Sequence, residues 1–172
     1  SPASVGPGVG TTVISPITTG ADLANFTVTP VDGSYEITQA LVTATAGSGT
    51  NVYDGATHSP SACAVTGGYT GDLTCANNPA SVGPGVGTTP IAGDVSGTGL
   101  SNYSITYVAG SYTIDPALVT ATAGSGSGSY NGSTHSPSGC VVTGTYTGSL
   151  SCANSPASVG PGVGTTVISP IT

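Results

Sequence analysis

Short apolar runs rich in β-branched residues alternate along this chain with clusters of Gly, Pro, Ser and Asn. LVTATAG at 41–47, CAVTG at 63–67, LTCAN at 73–77, YSITYV at 103–108 and SYTID at 111–115 each read as a strand. Asp54-Gly55, Asn131-Gly132 and Ala109-Gly110 are short hairpin signals. A turn at 68–71 predicts a further hairpin between CAVTG and LTCAN. SVGPGVGTT at 81–89 reads as a loop or irregular edge, and 20–25 and 97–102 each have room for one short helical turn. Gly and β-branched residues recur too often for a long amphipathic helix. The pattern predicts an all-β chain.

The pattern also repeats. The same stretch, SPASVGPGVGTTVISPIT, occupies 1–18 and 155–172. Cys63 and Cys140 lie 77 residues apart, as do Cys75 and Cys152, His58 and His135, and Tyr69 and Tyr146. Internal repetition at such a period has to be settled before any residue is read for chemistry. Residues 41–117 form one complete repeat, 1–40 the C-terminal half of a preceding one, and 118–172 the N-terminal part of a following one. Read in succession, 118–172 and 19–40 agree with 41–117 at 49 of 77 positions. TTPIAGDVSGTGL at 88–100 stands against TTVISPITTGADL at 11–23, so two variants alternate, with a higher period of 154. One or two residues separate SYTID from the next LVTATA, and so short a connection leaves little freedom. The expected architecture is therefore a tandem series of small β-sandwich or β-grasp-like domains of 77 residues stacked end to end.

Composition narrows the function. The chain has no Lys or Arg, seven acidic residues and two His. Nucleic-acid binding needs cations against phosphate, and anionic membrane surfaces need them too, so both are excluded as partners. A Lys–Asn isopeptide crosslink is impossible, and trypsin has no site. No apolar run is long enough to span a membrane, and no signal-peptide pattern is present, which places any targeting segment outside this window. The surface must be built from hydroxyls, amides and backbone.

The four cysteines carry the clearest chemistry. Cys63 and Cys75 flank the turn around Tyr69, and an antiparallel hairpin would set them opposite each other; Cys140 and Cys152 repeat the arrangement. Two local structural disulfides are the favoured reading, with pairing between units as the alternative. Regular cysteines and no other soft ligands point to an oxidising, extracellular compartment. A zinc site on His58, Cys63 and Cys75 would lack a fourth ligand. GPGVGTT lacks the Lys of a phosphate loop. Catalysis has little to build on, because Asp54 beside His58 is replaced by Asn131 beside His135. No catalytic, cofactor or metal residues are expected. Asp22, Asp32, Glu36, Asp54, Asp72, Asp94 and Asp115 are scattered, and calcium between units is the one use for them that hard oxygen ligands allow. Asn25, Asn102 and Asn131 fit the glycosylation sequon. Phe26, Tyr103, Tyr35 and Tyr112 recur at one phase and read as core.

LVTATAGSG, followed by Tyr-Asp-Gly or Tyr-Asn-Gly and then by GLSNYSITYVAGSYTI with Pro-Ala, resembles the glycine-rich MBG/YDG-type repeats of large bacterial surface and secreted adhesins. The likeness runs through every unit, although the Cys pair and the absence of cations depart from the usual pattern. It implies an extracellular or cell-surface protein of many small β domains, and it carries over no catalytic or ligand residues. The expected function is structural: a stiff stalk or filament, with copies of itself or adjacent repeats as partners. The alternative is an adhesive module gripping a surface glycan, ice or another surface. Residues 19–40 of one chain could complete 118–172 of another, but 1–18 would then compete for the place held by 155–172.

Overall fold

The computed structural model describes residues 4–172; positions 1–3 of the duplicated stretch lie outside the described residues. In chain order the strands are β1 (Gly10–Ile14), β2 (Gly33–Ile37), β3 (Ala40–Thr45), β4 (Gly49–Val52), β5 (Ala64–Gly67), β6 (Thr74–Asn78), β7 (Gly87–Ser96), β8 (Tyr103–Val108), β9 (Gly110–Asp115), β10 (Val119–Thr122), β11 (Val141–Gly144), β12 (Ala153–Ser155) and β13 (Ser169–Ile171). Two 3-10 turns, Leu23–Asn25 and Leu100–Asn102, fall where the spacing left room for one helical turn. The chain is all-β. It gathers into two compact units, one of residues up to Ser48 with Ser61–Ala80 and Pro90–Gly110, the other of Gly49–Pro60, Ser81–Thr89 and Ser111–Thr172.

In the first unit β3 is the centre of a three-stranded sheet in the order β5-β3-β8. It pairs antiparallel with β5, Val42 opposite Gly67, and parallel with β8, Val42 opposite Ile105. Facing this sheet, β6 pairs antiparallel with the later residues of β7, Cys75 opposite Val95. Side chains alternate across a strand, so Val42 and Ala44 point inward while Leu41, Thr43 and Thr45 point out. Leu73 and Val95 meet them from the opposite side, and Val65, Cys75, Tyr103 and Ile105 pack at the margin. Two sheets enclosing one apolar layer make a β-sandwich. The β-grasp alternative needs a helix laid across a sheet, and none exists among the described residues. β1 and β2 form a separate antiparallel pair in this unit, with Thr12 opposite Tyr35.

In the second unit β4 pairs parallel with β9, Asn51 opposite Ile114. β9 in turn neighbours the opening residues of β7, where the hydroxyls of Thr88 and Thr113 are 2.9 Å apart. Tyr112, Ile114 and Val82 are buried here. β10 pairs with β11 and β12 with β13, both antiparallel. These later pairs echo earlier ones at an offset of 77 residues. Val119 opposite Gly144 repeats Val42 opposite Gly67, and Asn154 opposite Pro170 repeats Asn77 opposite Gly93.

Three hairpin expectations fail in the same way. β8 and β9 are joined through Ala109 but belong to different sheets, and so do β5 and β6 across the turn at 68–71. β4 and β5, on either side of Asp54-Gly55, do not pair either. Each turn exists, but it carries the chain onward to the other sheet instead of back along the same one. Each sheet instead gains a parallel pair, β3 with β8 and β4 with β9, joined through distant sequence. The loop reading of 81–89 also needs trimming, because Gly87 already begins β7.

Candidate functional site

The cysteines form two disulfides, Cys63–Cys75 and Cys140–Cys152, with Cα–Cα separations of 5.3 and 5.6 Å. The geometry differs from the cross-hairpin arrangement expected. Cys63 immediately precedes β5 in one sheet, while Cys75 lies in β6 of the other, so the bond ties sheet to sheet across the thin core. The bland explanation for a cystine in so small a core, a staple for a domain short of large side chains, is therefore also its geometry.

Beside each disulfide an asparagine holds the point where the chain leaves the first sheet. Asn77 Oδ1 accepts the N–H of Gly47 at 2.8 Å, and its Nδ2 donates to the carbonyl of Ser61 at 2.7 Å. The Ser61 hydroxyl accepts the N–H of Ser48 at 3.0 Å. Asn154, Gly124, Ser138 and Ser125 reproduce this bracket with the same three distances. The amide satisfies two backbone groups that a strand break would leave without ladder partners. Sequence reasoning missed Asn77, and the only available signal was its recurrence two residues after the second cysteine of each pair.

His58 lies at a second corner. Its backbone forms an isolated bridge with Val82, each N–H donating at 2.8 Å. Its ring stacks on Tyr112 with centroids 6.2 Å apart and planes 6° from parallel. Nε2 lies 3.0 Å from Asp54 Oδ1, and Asn51 Nδ2 lies 2.7 Å from Nδ1. Both ring nitrogens are thus occupied by structural partners. Asp54 accepts the N–H of Ala56, and this bond first, then the histidine, holds its carboxyl below the ordinary value. At the equivalent place His135 keeps the bridge, to Val159, while Gly128 and Asn131 stand where Asn51 and Asp54 were. Asn131 still caps its own turn by accepting from Ser133. What recurs is the turn and the bridge, while the acid–imidazole contact belongs to one copy.

Asp72 works as a clamp on the loop after β7. It accepts the hydroxyl of Thr98 at 2.7 Å and the N–H of the same residue at 3.2 Å, and these bonds, the hydroxyl first, lower its pKa below 3.8. With Asp54 lowered as well, the folded chain binds fewer protons than the unfolded chain in this range. Their contribution is complete above about pH 4 and is lost as pH falls through the lower folded-state values. Urea unfolding should therefore show a lower midpoint at about pH 2.5 than at about pH 5. Asp72→Asn, which cannot titrate, should show a smaller difference; an unchanged pH dependence would refute the clamp.

The remaining residues singled out by sequence divide cleanly. Tyr112 is buried, and Tyr103 packs on the first unit's core and stacks on Tyr69 at 6.3 Å. Phe26 and Tyr35 do not follow them: they are 70% and 55% exposed. Tyr103 lies in β8 beside β3, opposite Ala40, and residue 26 has no such strand partner among the described residues. Asn102 accepts the N–H of Val9 at 3.1 Å, and Asn25 ends a 3-10 turn. The described residues contain no group of three or more His, Cys, Asp or Glu placed to hold a metal ion, and no helix among them is long and apolar enough to cross a membrane. The two disulfides are consistent with an oxidising environment outside the cell. Comparison with protein-family models, curated proteins and solved structures yields no match to this chain.

Proposed function

We propose that this chain is a stretch of a structural extracellular repeat protein, a stiff stalk or filament of the kind that forms bacterial surface fibres or adhesin shafts of the MBG/YDG type. The observation that carries the reading is the recurrence, at 77 residues, of one complete mechanical kit: disulfide, asparagine bracket, histidine bridge and strand register. A binding or catalytic site copied along a chain would keep its polar chemistry, whereas here Asp54 and Asn51 are lost and the bonds that hold backbone to backbone are retained. Each 77-residue repeat is then a small sandwich joined to the next by a connection too short to bend freely. Negative-stain images of the native material, with its mobility on a reducing, denaturing gel, test this. Uniform fibres that yield one very large chain support it, and dispersed particles with no fibre would sink it.

A second reading, an adhesive module for a glycan or an ordered-water surface, draws on one feature. On the outer face of the β5-β3-β8 sheet, Thr66, Thr43 and Thr106 stand in register across three strands. A saturable ligand binding once per repeat, lost on substitution of Thr43, would favour it over the purely structural role.

A further inference from the structure

We propose that the Tyr53-Asp54-Gly55 turn is a seat for Tyr146, and that this seat is the joint by which one 77-residue repeat holds the next. The inference rests on the repeat reading above and names the surface through which its partner, the following repeat, is gripped.

The contact lies within the second compact unit. The Tyr146 ring stands edge-on to Tyr53, with centroids 5.4 Å apart and planes at 76°. Edge-to-face is a favoured arrangement of two aromatic rings. The hydroxyl end of Tyr146 rests on Gly55. A Cβ there would collide with the phenol oxygen and come within 2.9 Å of Cζ. Gly55 has φ +78°, so the turn itself favours glycine, and the ring takes the space that the missing side chain leaves.

The seat is fixed to the end of the repeat that carries it. Tyr53 N–H donates to the Asp115 carbonyl at 2.8 Å, one step beyond the ladder of β4 and β9. Pro116, Ala117 and Leu118 then lead into β10, which pairs with β11, and Tyr146 follows β11 by two residues. First ladder, junction, second ladder and ring contact close a circuit around residues 116–118. Swinging about that junction would part Tyr146 from Tyr53.

Both halves of the joint recur at 77 residues. Tyr130-Asn131-Gly132 repeats the seat, with Gly132 at φ +73°. Tyr69-Thr70-Gly71 repeats the turn that presents Tyr146. Leu73 N–H donates to the Thr70 carbonyl as Leu150 N–H does to Thr147, both at 3.0 Å. The residue between tyrosine and glycine can differ, because its side chain serves its own turn: Asp54 accepts from Ala56 and Asn131 from Ser133, each at 2.9 Å. Nor does the contact with Tyr103 compete with the seat. Stacked on Tyr103, Tyr69 is still 68% exposed, so one such ring has surface for both neighbours.

Amide hydrogen exchange on the 172-residue chain tests the joint from each side. Tyr146→Ala should speed exchange at Tyr53 N–H by about tenfold or more through local opening of the seat. It should leave Ala46 N–H, which donates to Val108 in the first unit, within about twofold. Gly55→Ala pushes the ring out of the seat and should speed exchange at Leu150 N–H, in the turn that presents the ring, by about fivefold or more. Gly132→Ala carries the same backbone strain, but nothing lies within 4 Å of its added Cβ, and Leu150 should stay within about twofold. An unchanged Tyr53, an Ala46 accelerated equally with it, or equal effects of the two glycine variants at Leu150 would each overturn the joint. The fibre reading stands or falls separately. A seat that passes these tests in material without fibres keeps the joint and sinks the filament, and fibres from a chain whose Tyr53 amide ignores Tyr146 do the reverse.

Discussion

Gly47→Ala is expected to destabilise the fold by about 3–5 kcal/mol, read as a fall in the urea midpoint followed by far-UV circular dichroism or tyrosine fluorescence. Gly47 sits where the chain leaves β3 for β4. An added Cβ would collide with the carbonyl carbon and oxygen of Ser61, backbone atoms that cannot rotate away, and would press on Asn77 Nδ2 at 2.9 Å. Relieving the overlap means moving Ser61, and that breaks the bracket in which Asn77 binds Gly47 and Ser61 together. Overpacking costs roughly 1–3 kcal/mol, and the N–H of the buried Gly47, left without its partner, adds about another 1–3. Gly124→Ala meets Ser138 in the same way and should weaken its own segment similarly. Gly68→Ala is the control. Nothing lies within 4 Å of its added Cβ, and Thr145 occupies the equivalent position. A shift within about 0.5 kcal/mol is expected there. Equal effects at Gly47 and Gly68 would sink the account of the crossing.

Removing the Cys63–Cys75 disulfide, by Cys63→Ser with Cys75→Ser, should cost about 3 kcal/mol from the loop of 12 residues that it closes. The bond joins the two sheets of the first unit rather than two partners of one ladder, so hydrogen bonds within each sheet do not compensate for its loss. Val42, Ala44, Leu73 and Val95 are the buried residues of that core cluster, and they are few and mostly small. A midpoint in urea that falls in the double variant, and falls further in the wild type under reducing agent, which also opens Cys140–Cys152, is the expected result. A change below about 0.5 kcal/mol would mean that the apolar layer alone holds the sheets together.

The features legible in the sequence were those with a local or periodic signature. β-branched runs marked most strands, since such residues suit a pleated, half-buried surface. Cysteine spacing marked the disulfides, and the room at 20–25 and 97–102 marked the 3-10 turns. Partnership was not legible. Ala109-Gly110 and the turn at 68–71 announce a change of direction, but no local residue says whether the next strand returns to the same sheet or crosses to the other. The parallel pairing of β3 with β8 is fixed by the inward faces of Val42 and Ile105, more than sixty positions apart. The same non-local dependence explains the misplaced aromatics. Phe26 and Tyr35 have the right phase to be core, and burial depends on a covering strand that phase cannot supply.

The parallel pair β3–β8 also sets the tempo of folding. Its contacts are highly non-local, which places the chain among slow, high-contact-order topologies that mature in milliseconds to seconds. While β3 waits, β10 offers β8 an identical sequence that is far closer along the chain. A parallel partner, however, requires a crossover of a dozen residues or more. The interval between Val108 and Val119 is shorter than that and already holds β9. The short interval therefore leaves no room for a parallel crossover from β8 to β10, and β8 lies beside the earlier of two identical sequences.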